Sequence, residues 1–478
     1  MQMNFGNLNL IFFVINFRKT AASTLILFEY IVSQIHVKVK IFFAIHLFLF
    51  FSLPLFCQIS WDFETPIDVA DNSFGNSSAY ILIDEDGNPQ VVVGKPNIGL
   101  YFIKSEFGVF SNPELIPSTE NMFINSTNGP TFSSHENKIG ISYIDNVTGI
   151  TIAKFIQSID YGTTWNNPVD IFSGGFEDFS IPVFSYDSDG NPFVISKVGE
   201  DPNVFEGFSK SNDGGLTFLP FNNINSNLGT GITCECCPSR PIYYKNRYYN
   251  VFRRNENNLR DFWIISSSDG LNWNQQLDID PSDWMLNGCP SSGASTSSTL
   301  DTCLASVFMS GGGGTPQIYL NLYNSSFNNV SSTVQLSPSQ FKNITQNHPD
   351  ISSGPTHTAV VWEQFDDGYS VQFTIAENDN IPFGLVDSAE PLSINNDGSN
   401  RFPKVKIFNN KVHVIWQNSS SGTVKYIRGT ITNFNMELEP RELIKVVNVL
   451  GQEINPSPNK VLLFLYDDGS VEKKIIIE

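Results

Sequence analysis

A dipeptide ending in proline returns along the chain at a nearly constant interval. It stands at Gly129-Pro130, Ile181-Pro182, Cys237-Pro238, Cys289-Pro290, His348-Pro349 and Phe402-Pro403, with spacings of 52, 56, 52, 59 and 54 residues. A period of this length marks a repeated supersecondary unit, because one such unit cannot bury its own apolar face and must stack on the next. Counting back about one period reaches Ser78, where the stretch SAYILIDEDGNPQVVVG begins. Each unit then reads alike: a first strand, a turn, an apolar second strand, a third strand, a polar turn and a short fourth strand. The second strands are the plainest, KIGISYID at 138–145, TAVVWEQ at 358–364 and KVHVIWQN at 411–418. Val, Ile, Tyr and Trp dominate them, as strands require. Asp86-Gly87-Asn88, Asp189-Gly190-Asn191 and Asp367-Gly368 supply turns, and no amphipathic helix is expected after residue 60. Four-stranded units repeated around a circle give an all-β chain, a β-propeller. Seven blades are expected, with six the alternative, and WDFETPIDV at 61–69 is expected to close the last blade.

The polar turn late in each unit carries the most specific pattern. SIDYGTTW at 158–165 and SNDGGLTF at 211–218 both fit Ser-x-Asp-x-Gly-x-Thr-aromatic. The residues concerned are Ser158, Asp160, Gly162 and Trp165 in one copy, and Ser211, Asp213, Gly215 and Phe218 in the other. SSDGLNW at 267–273 is one residue shorter, and SEFGVF at 105–110 is a decayed copy. Ser and Asp can bond the turn backbone, Gly takes a conformation other residues resist, and the aromatic plugs the blade edge. The pattern resembles the Asp-box, or BNR repeat, of the sialidase-like propellers. It speaks for a fold and says little about chemistry.

Charge is unevenly placed. The 478 residues carry a net charge of −20, which argues against a nucleic-acid partner. Yet five of the nine arginines, Arg240, Arg247, Arg253, Arg254 and Arg260, fall between Thr233 and Gly293. Four of the six cysteines, Cys234, Cys236, Cys237 and Cys289, fall there too, and Cys303 follows. In an exported chain these five are disulfide candidates. Cys237 and Cys289 precede proline at equivalent points of adjacent units and are an expected pair, and Cys303 is set to meet Cys234 or Cys236. Cys234-Glu235-Cys236-Cys237 leaves a metal site open as the other reading. No cofactor is expected and no metal is assigned.

Propeller topology sorts these residues by face. The point where the chain enters strand one and the turn between strands two and three share one face. The Asp-containing turns lie on the other, with 84–88 and 187–191, which read as plain β-turns. Arg240, Arg253, Arg254, Arg260, Arg401 and His348 thus gather on the first face as candidate ligand-binding groups. Guanidinium groups there can hold a carboxylate or sulfate through paired hydrogen bonds. The alternative is an internal network, Arg260 with Asp261 or Arg253 with Glu256. Resemblance to sialidases implies an arginine triad, a Tyr–Glu nucleophile pair and an aspartate acid/base. Glu256, Asp261, Glu363 and Tyr369 are the candidate catalytic residues, with Tyr243 and Tyr248 as further phenols. The chain departs from that family because it has no arginine between residues 58 and 239. The expected function is binding of an acidic glycan, polysaccharide or other anionic ligand. The alternatives are an exo-sialidase-like hydrolase with a rearranged arginine set, or a structural surface protein.

The termini read as addresses. Lys38 and Lys40 precede the apolar run Ile41 to Phe56, the order of a secretory signal peptide, with a membrane anchor the alternative. Residues 1–57 are read as extension plus signal, with a start near Val37, 58–440 as the propeller and 441–478 as a tail. That tail, with Val449-Leu450-Gly451-Gln452-Glu453, Leu465-Tyr466-Asp467-Asp468-Gly469 and Lys473-Lys474, resembles the C-terminal sorting domain of the Bacteroidetes type IX secretion system. The resemblance implies the secretion machinery as a partner and a secreted or cell-surface location.

Overall fold

The computed structural model describes residues 61–70, 79–123, 129–147, 150–171, 179–199, 203–225, 232–299, 303–337, 343–386, 390–391, 398–431, 443–448, 451–455, 461–466 and 471–475. The signal-like segment lies outside them. Seven antiparallel sheets follow one another along the chain, so the fold is a seven-bladed β-propeller and the six-bladed alternative falls. Blade one begins with Tyr80–Ile83, Pro89–Lys95 and Gly99–Glu106. Blade two is built on Thr131–His135, Lys138–Val147 and Ile150–Ser158, and blade three on Phe179–Tyr186, Pro192–Val198 and Phe205–Lys210. Blade four has Arg240–Tyr244, Arg247–Arg253, Phe262–Ser267 and Trp273–Asp278, and blade five Ser295–Thr299, Cys303–Ser310 and Gln317–Asn324. Blade six runs through Thr345–Ser353, His357–Phe365 and Tyr369–Glu377, and blade seven through Asn400–Phe408, Lys411–Asn418 and Thr423–Ile431. Trp61–Phe63 and Ile67–Ala70 pair antiparallel with Thr423–Ile431. The N-terminal stretch therefore closes the last blade, as its sequence suggested.

The second strands show why the blades stack. Every residue of Pro192–Val198 is buried, and so are the first eight residues of His357–Phe365. Neighbouring side chains of a strand point to opposite faces. A strand buried at every position is therefore covered on both sides, here by the blades before and after it.

The Ser-x-Asp turns work as a set. Gly162 N donates to Ser158 Oγ at 2.8 Å, and Thr164 N to Asp160 Oδ1 at 2.8 Å. Gly215 N and Thr217 N make the same bonds to Ser211 and Asp213. In the shorter copy Asn272 replaces the threonine and donates Nδ2 to Asp269 Oδ2 at 2.7 Å. Each terminal aromatic rests on the preceding blade: Trp165 on Phe102, Phe218 on Phe155 and Trp273 on Phe208, with ring centres 5.3–5.5 Å apart. The decayed copy keeps this last feature alone, with Phe110 against Tyr426 of blade seven at 5.0 Å.

The recurring proline marks a bulge. The ladders of blades three, six and seven shift register between Ser180 and Val183, Asn347 and Asp350, and Arg401 and Lys404. The residues before proline there, Ile181, His348 and Phe402, have φ of 50°, 48° and 53°. Such conformations are costly for residues with a Cβ and re-aim the strand. Leu443–Val447, Val461–Tyr466 and Val471–Ile475 form a separate three-stranded sheet in the tail.

Candidate functional site

The bulges place their strand beginnings around the mouth of the central channel. Tyr80, Ser239, Arg240, His348, Asp350 and Lys404 are among the residues lining a cavity of about 60 Å³ there. That is enclosed room for about two waters, enough for a small charged group. Asp350 accepts Ser295 Oγ–H at 2.7 Å and Val405 N–H at 3.0 Å. Those bonds pin blades five, six and seven to one carboxylate. Lys406, two residues beyond Lys404 on the same inner strand, senses Asp350, Arg240 and Lys404. Burial pushes its ammonium down to about 8, with Arg240 and Lys404 pushing the same way and Asp350 opposing them. Lys404 Nζ lies 5.3 Å from the Tyr80 ring centre. Arg240 and Lys404 thus line the cavity with Asp350, Lys406 lies within electrostatic reach of them, and none of the three cations has an ion-pair partner among the described residues.

A second cluster adjoins the mouth. Arg401 Nη2 donates to Glu363 Oε1 at 3.1 Å and Nε to Oε2 at 3.3 Å. Its guanidinium lies 4.1 Å from the Tyr369 ring centre and 4.6 Å from that of Phe402. His348 Nε2 is 3.7 Å from Glu363 Oε1. Burial drives the His348 imidazole down to about 4, opposed by Glu363 and reinforced by Lys404 and Arg401. His348 is therefore neutral at physiological pH.

The remaining expected ligand groups of blade four turn inward. Arg253 has 0% exposure. It donates Nη1 to the Arg260 carbonyl and Nη2 to the Met309 carbonyl, both at 2.7 Å, and stacks on Phe262 at 4.1 Å. Arg260 is 4% exposed and donates Nε to the Leu286 carbonyl at 3.2 Å. Both serve the fold, because a guanidinium satisfied by buried carbonyls presents nothing to a ligand. The internal network also differs from expectation: Arg254 is its centre, 3.0 Å from Asp261 and 3.8 Å from Glu256. Asp261 has 0% exposure and accepts Trp284 N–H at 3.0 Å, so it is enclosed, whereas Glu256 remains exposed. Tyr243 and Tyr248 flank the first turn of blade four, on the opposite face, and Tyr248 bonds Asp187 there.

The cysteines pair differently from the sequence expectation. Cys236 bonds Cys289, with Cα atoms 6.4 Å apart. Cys237, the expected partner of Cys289, instead lies 3.0 Å from Cys234 between sulfurs. Cys303 opens the second strand of blade five, at the other end of its blade, and so does not meet Cys234 or Cys236. Cys237 is fully buried, yet Cys234, Arg253 and the Ser292 N–H hold its thiol down to about 6 against the effect of burial. The hydrogen bond to Cys237, together with burial, pushes the Cys234 thiol up. Adjacent cysteines make either one geometrically eligible, so the sequence could not choose between Cys236 and Cys237.

Lys404 and Lys406 are not among the ligand groups expected from the sequence, which are arginines and one histidine. A signal was present: they follow the Phe402-Pro403 bulge at a period of two, the spacing of one strand face.

No protein-family model and no curated protein matches the chain. Solved structures do. An ulvan lyase of a polysaccharide-lyase family, bound to -[GlcA(1-4)Rha3S]-, superposes with a TM-score of 0.51 at 11% identity, covering 76% of this chain and 95% of its own. A protein of unknown function from Dyadobacter fermentans gives 0.47 at 11% identity, covering 78% and 99%. The intramolecular trans-sialidase from Ruminococcus gnavus gives 0.40 at 11% identity, covering 76% and 96%. The chain is a seven-bladed β-propeller similar in fold to propellers that process glycans.

Proposed function

We propose that the channel mouth binds the carboxylate or sulfate of an acidic polysaccharide. One observation carries this reading: Arg240 and Lys404 line one cavity with a single carboxylate, Asp350, and Lys406 lies within electrostatic reach of all three, in a chain of net charge −20. Local excess positive charge in an acidic protein attracts an anion and is costly without one. The cavity admits the charged group while the sugar backbone lies across the face. Arg401 borders the mouth, with its charge already shared with Glu363. The Ser-x-Asp turns are read as Asp-boxes of the sialidase-like type. Export through the signal-like segment, and sorting through the tail, would bring the propeller to such a polymer outside the cell.

The test is binding of heparin, polygalacturonate and neutral dextran to the purified full chain. Binding of an acidic polymer that weakens with salt, and weakens ~tenfold or more (1.4 kcal/mol) in Arg240→Ala or Lys404→Ala, is expected. Affinity should also fall as pH rises through about 8, where Lys406 loses its proton. Equal binding of dextran, or no effect of either substitution, rejects the reading.

A second reading is catalytic. His348 lines the mouth beside Arg401 and is unprotonated, though burial makes it a weak base. Its position, with Tyr369 under the Arg401 guanidinium, is what would let it take a proton from a uronate held there. Appearance of unsaturated uronate from polygalacturonate, absent in His348→Gln, would favour a lyase. Release of sialic acid from a sialoside would favour the hydrolase instead.

A further inference from the structure

The sulfurs of Cys234, Cys236 and Cys237 lie within 4.8 Å of one another, and the exposed Cys289, from the loop before blade five, is tied to them through its bond to Cys236. Cys234 Sγ lies 3.0 Å from Cys237 Sγ and 3.6 Å from Cys236 Sγ, and Cys236 is bonded to Cys289. We propose that these four cysteines are a tetrathiolate site for a soft divalent cation of the zinc class, opened when the Cys236–Cys289 bond is reduced.

The donor set fits. Cys234-x-x-Cys237 has the spacing of a chelating knuckle, and closed structural zinc sites take four thiolates in a tetrahedron. Cys234 and Cys237 have 0% exposure and Cys236 is half-buried, so three donors are enclosed and the exposed Cys289 supplies the fourth from the surface loop.

Charge carries the argument further. Arg260 Nη1 donates to Cys234 Sγ at 3.4 Å, and Arg253 acts electrostatically on both Cys234 and Cys237. Neither guanidinium has an ion-pair partner among the described residues. Asp261 is paired with Arg254 and Glu206 with Lys197, while the buried Asp280 acts electrostatically on Arg253. One carboxylate beside two buried guanidinium groups leaves them short of counter-charge, which is expensive. A divalent cation with four thiolates carries two negative charges and adds counter-charge beside Arg253 and Arg260. Two disulfides are neutral and add none.

The chemistry balances. A dithiol reductant gives two electrons and two protons to the Cys236–Cys289 bond, yielding two thiols and its own cyclic disulfide. The cation then displaces four protons from four thiols. The bound site would tie the loops leading into blades four and five and hold Arg253 and Arg260 in place.

The experiment uses the full chain, treated with dithiothreitol, loaded with Zn2+ and desalted. Metal content is measured by plasma mass spectrometry, and thiols are titrated before and after a chelator. One zinc per chain is expected, with four thiols shielded until the chelator is added. Cys234→Ser and Cys289→Ser should lose the metal, and Cys303→Ser should keep it. Should the first two variants fail to fold, Co2+ in the wild-type chain gives the same answer through thiolate-to-cobalt charge-transfer bands of tetrahedral intensity. A reduced chain that retains no zinc, zinc that survives both substitutions, or Co2+ spectra without thiolate bands would overturn the proposal.

Discussion

Arg401 and Glu363 join the inner strand of blade seven to the second strand of blade six through two hydrogen bonds of 3.1 and 3.3 Å. Glu363 is 3% exposed and also accepts Phe402 N–H at 3.3 Å. Its carboxylate thereby holds the bulge residue and the arginine that follow one another in the sequence. Arg401 keeps 28% exposure, which lowers the value of the pair below that of a fully buried one. Glu363→Ala should cost about 1–3 kcal/mol in urea unfolding. A loss within error of zero would mean that water replaces the carboxylate at no cost.

Lys197 and Glu206 make the buried counterpart. Lys197 is 1% exposed and Glu206 0%. Lys197 Nζ also donates to Thr233 Oγ1 at 2.7 Å and Ser239 Oγ at 2.9 Å. The pair in blade three thus anchors both ends of the cysteine loop that leads into blade four. Lys197→Met leaves a buried carboxylate with hydroxyl partners alone, and should cost about 3–5 kcal/mol. The double variant Lys197→Met with Glu206→Leu should recover part of that loss. If it is worse than the single variant, the hydroxyl bonds outweigh the ion pair.

Gly270 tests how the blades are stapled. Its φ is +77°, and a Cβ there would sit 2.7 Å from Phe208 Cε1. Phe208 is the ring on which Trp273 rests, so one phenylalanine receives both the glycine and the aromatic of the turn. Gly270→Ala adds left-handed strain to a steric clash and should cost about 2–4 kcal/mol. Asp269→Ala at the same turn removes acceptors for Leu271 N and Asn272 N without the clash, and should cost less. The reverse order would place the turn's stability in the carboxylate.

Most of the fold was legible because it rests on repetition. The proline period and the apolar second strands fixed the blade, and the Ser-x-Asp turns fixed the face. The proline itself was legible only as a marker. That it signals a bulge with a left-handed residue at Ile181, His348 and Phe402 depends on ladder register, which sequence spacing does not give. The site was less legible. Arg253 and Arg260 looked available because arginine in an acidic chain suggests a ligand. Their carbonyl partners, at Met309 and Leu286, lie 56 and 26 residues away, and backbone acceptors have no sequence signature. Lys404 and Lys406 gained their meaning only beside Arg240 and Asp350, which three separate blades bring together.

Histidines held down by burial should lower stability toward acid, while Asp145, Asp261, Asp278 and Asp280, all raised by burial, oppose them. Burial holds His348 down to about 4 and His413 to about 3. His348 faces Glu363, which opposes the shift, and Lys404 and Arg401, which add to it. His413 faces Arg428 and Lys411, both lowering it, and its Nδ1 is 2.8 Å from the Tyr426 hydroxyl. The unfolded chain takes up these protons near pH ~6.5 and the folded chain does not. The stabilising contribution is therefore complete above about pH 6.5 and is lost as pH falls toward the folded values, at up to ~1.4 kcal/mol per pH unit for each histidine. Asp278, raised to about 6 by burial, works in the other direction, since the folded chain binds its proton first. Asp213, lowered to about 2 by Thr217 and Ser211, adds its loss only below about pH 4. Between pH ~6.5 and ~4.5 the urea midpoint of the wild-type chain should drop relative to that of His348→Gln, because only the wild-type chain carries the His348 imidazole. Parallel slopes would show that His348 takes its proton as readily folded as unfolded, and would remove the neutral imidazole from the channel mouth.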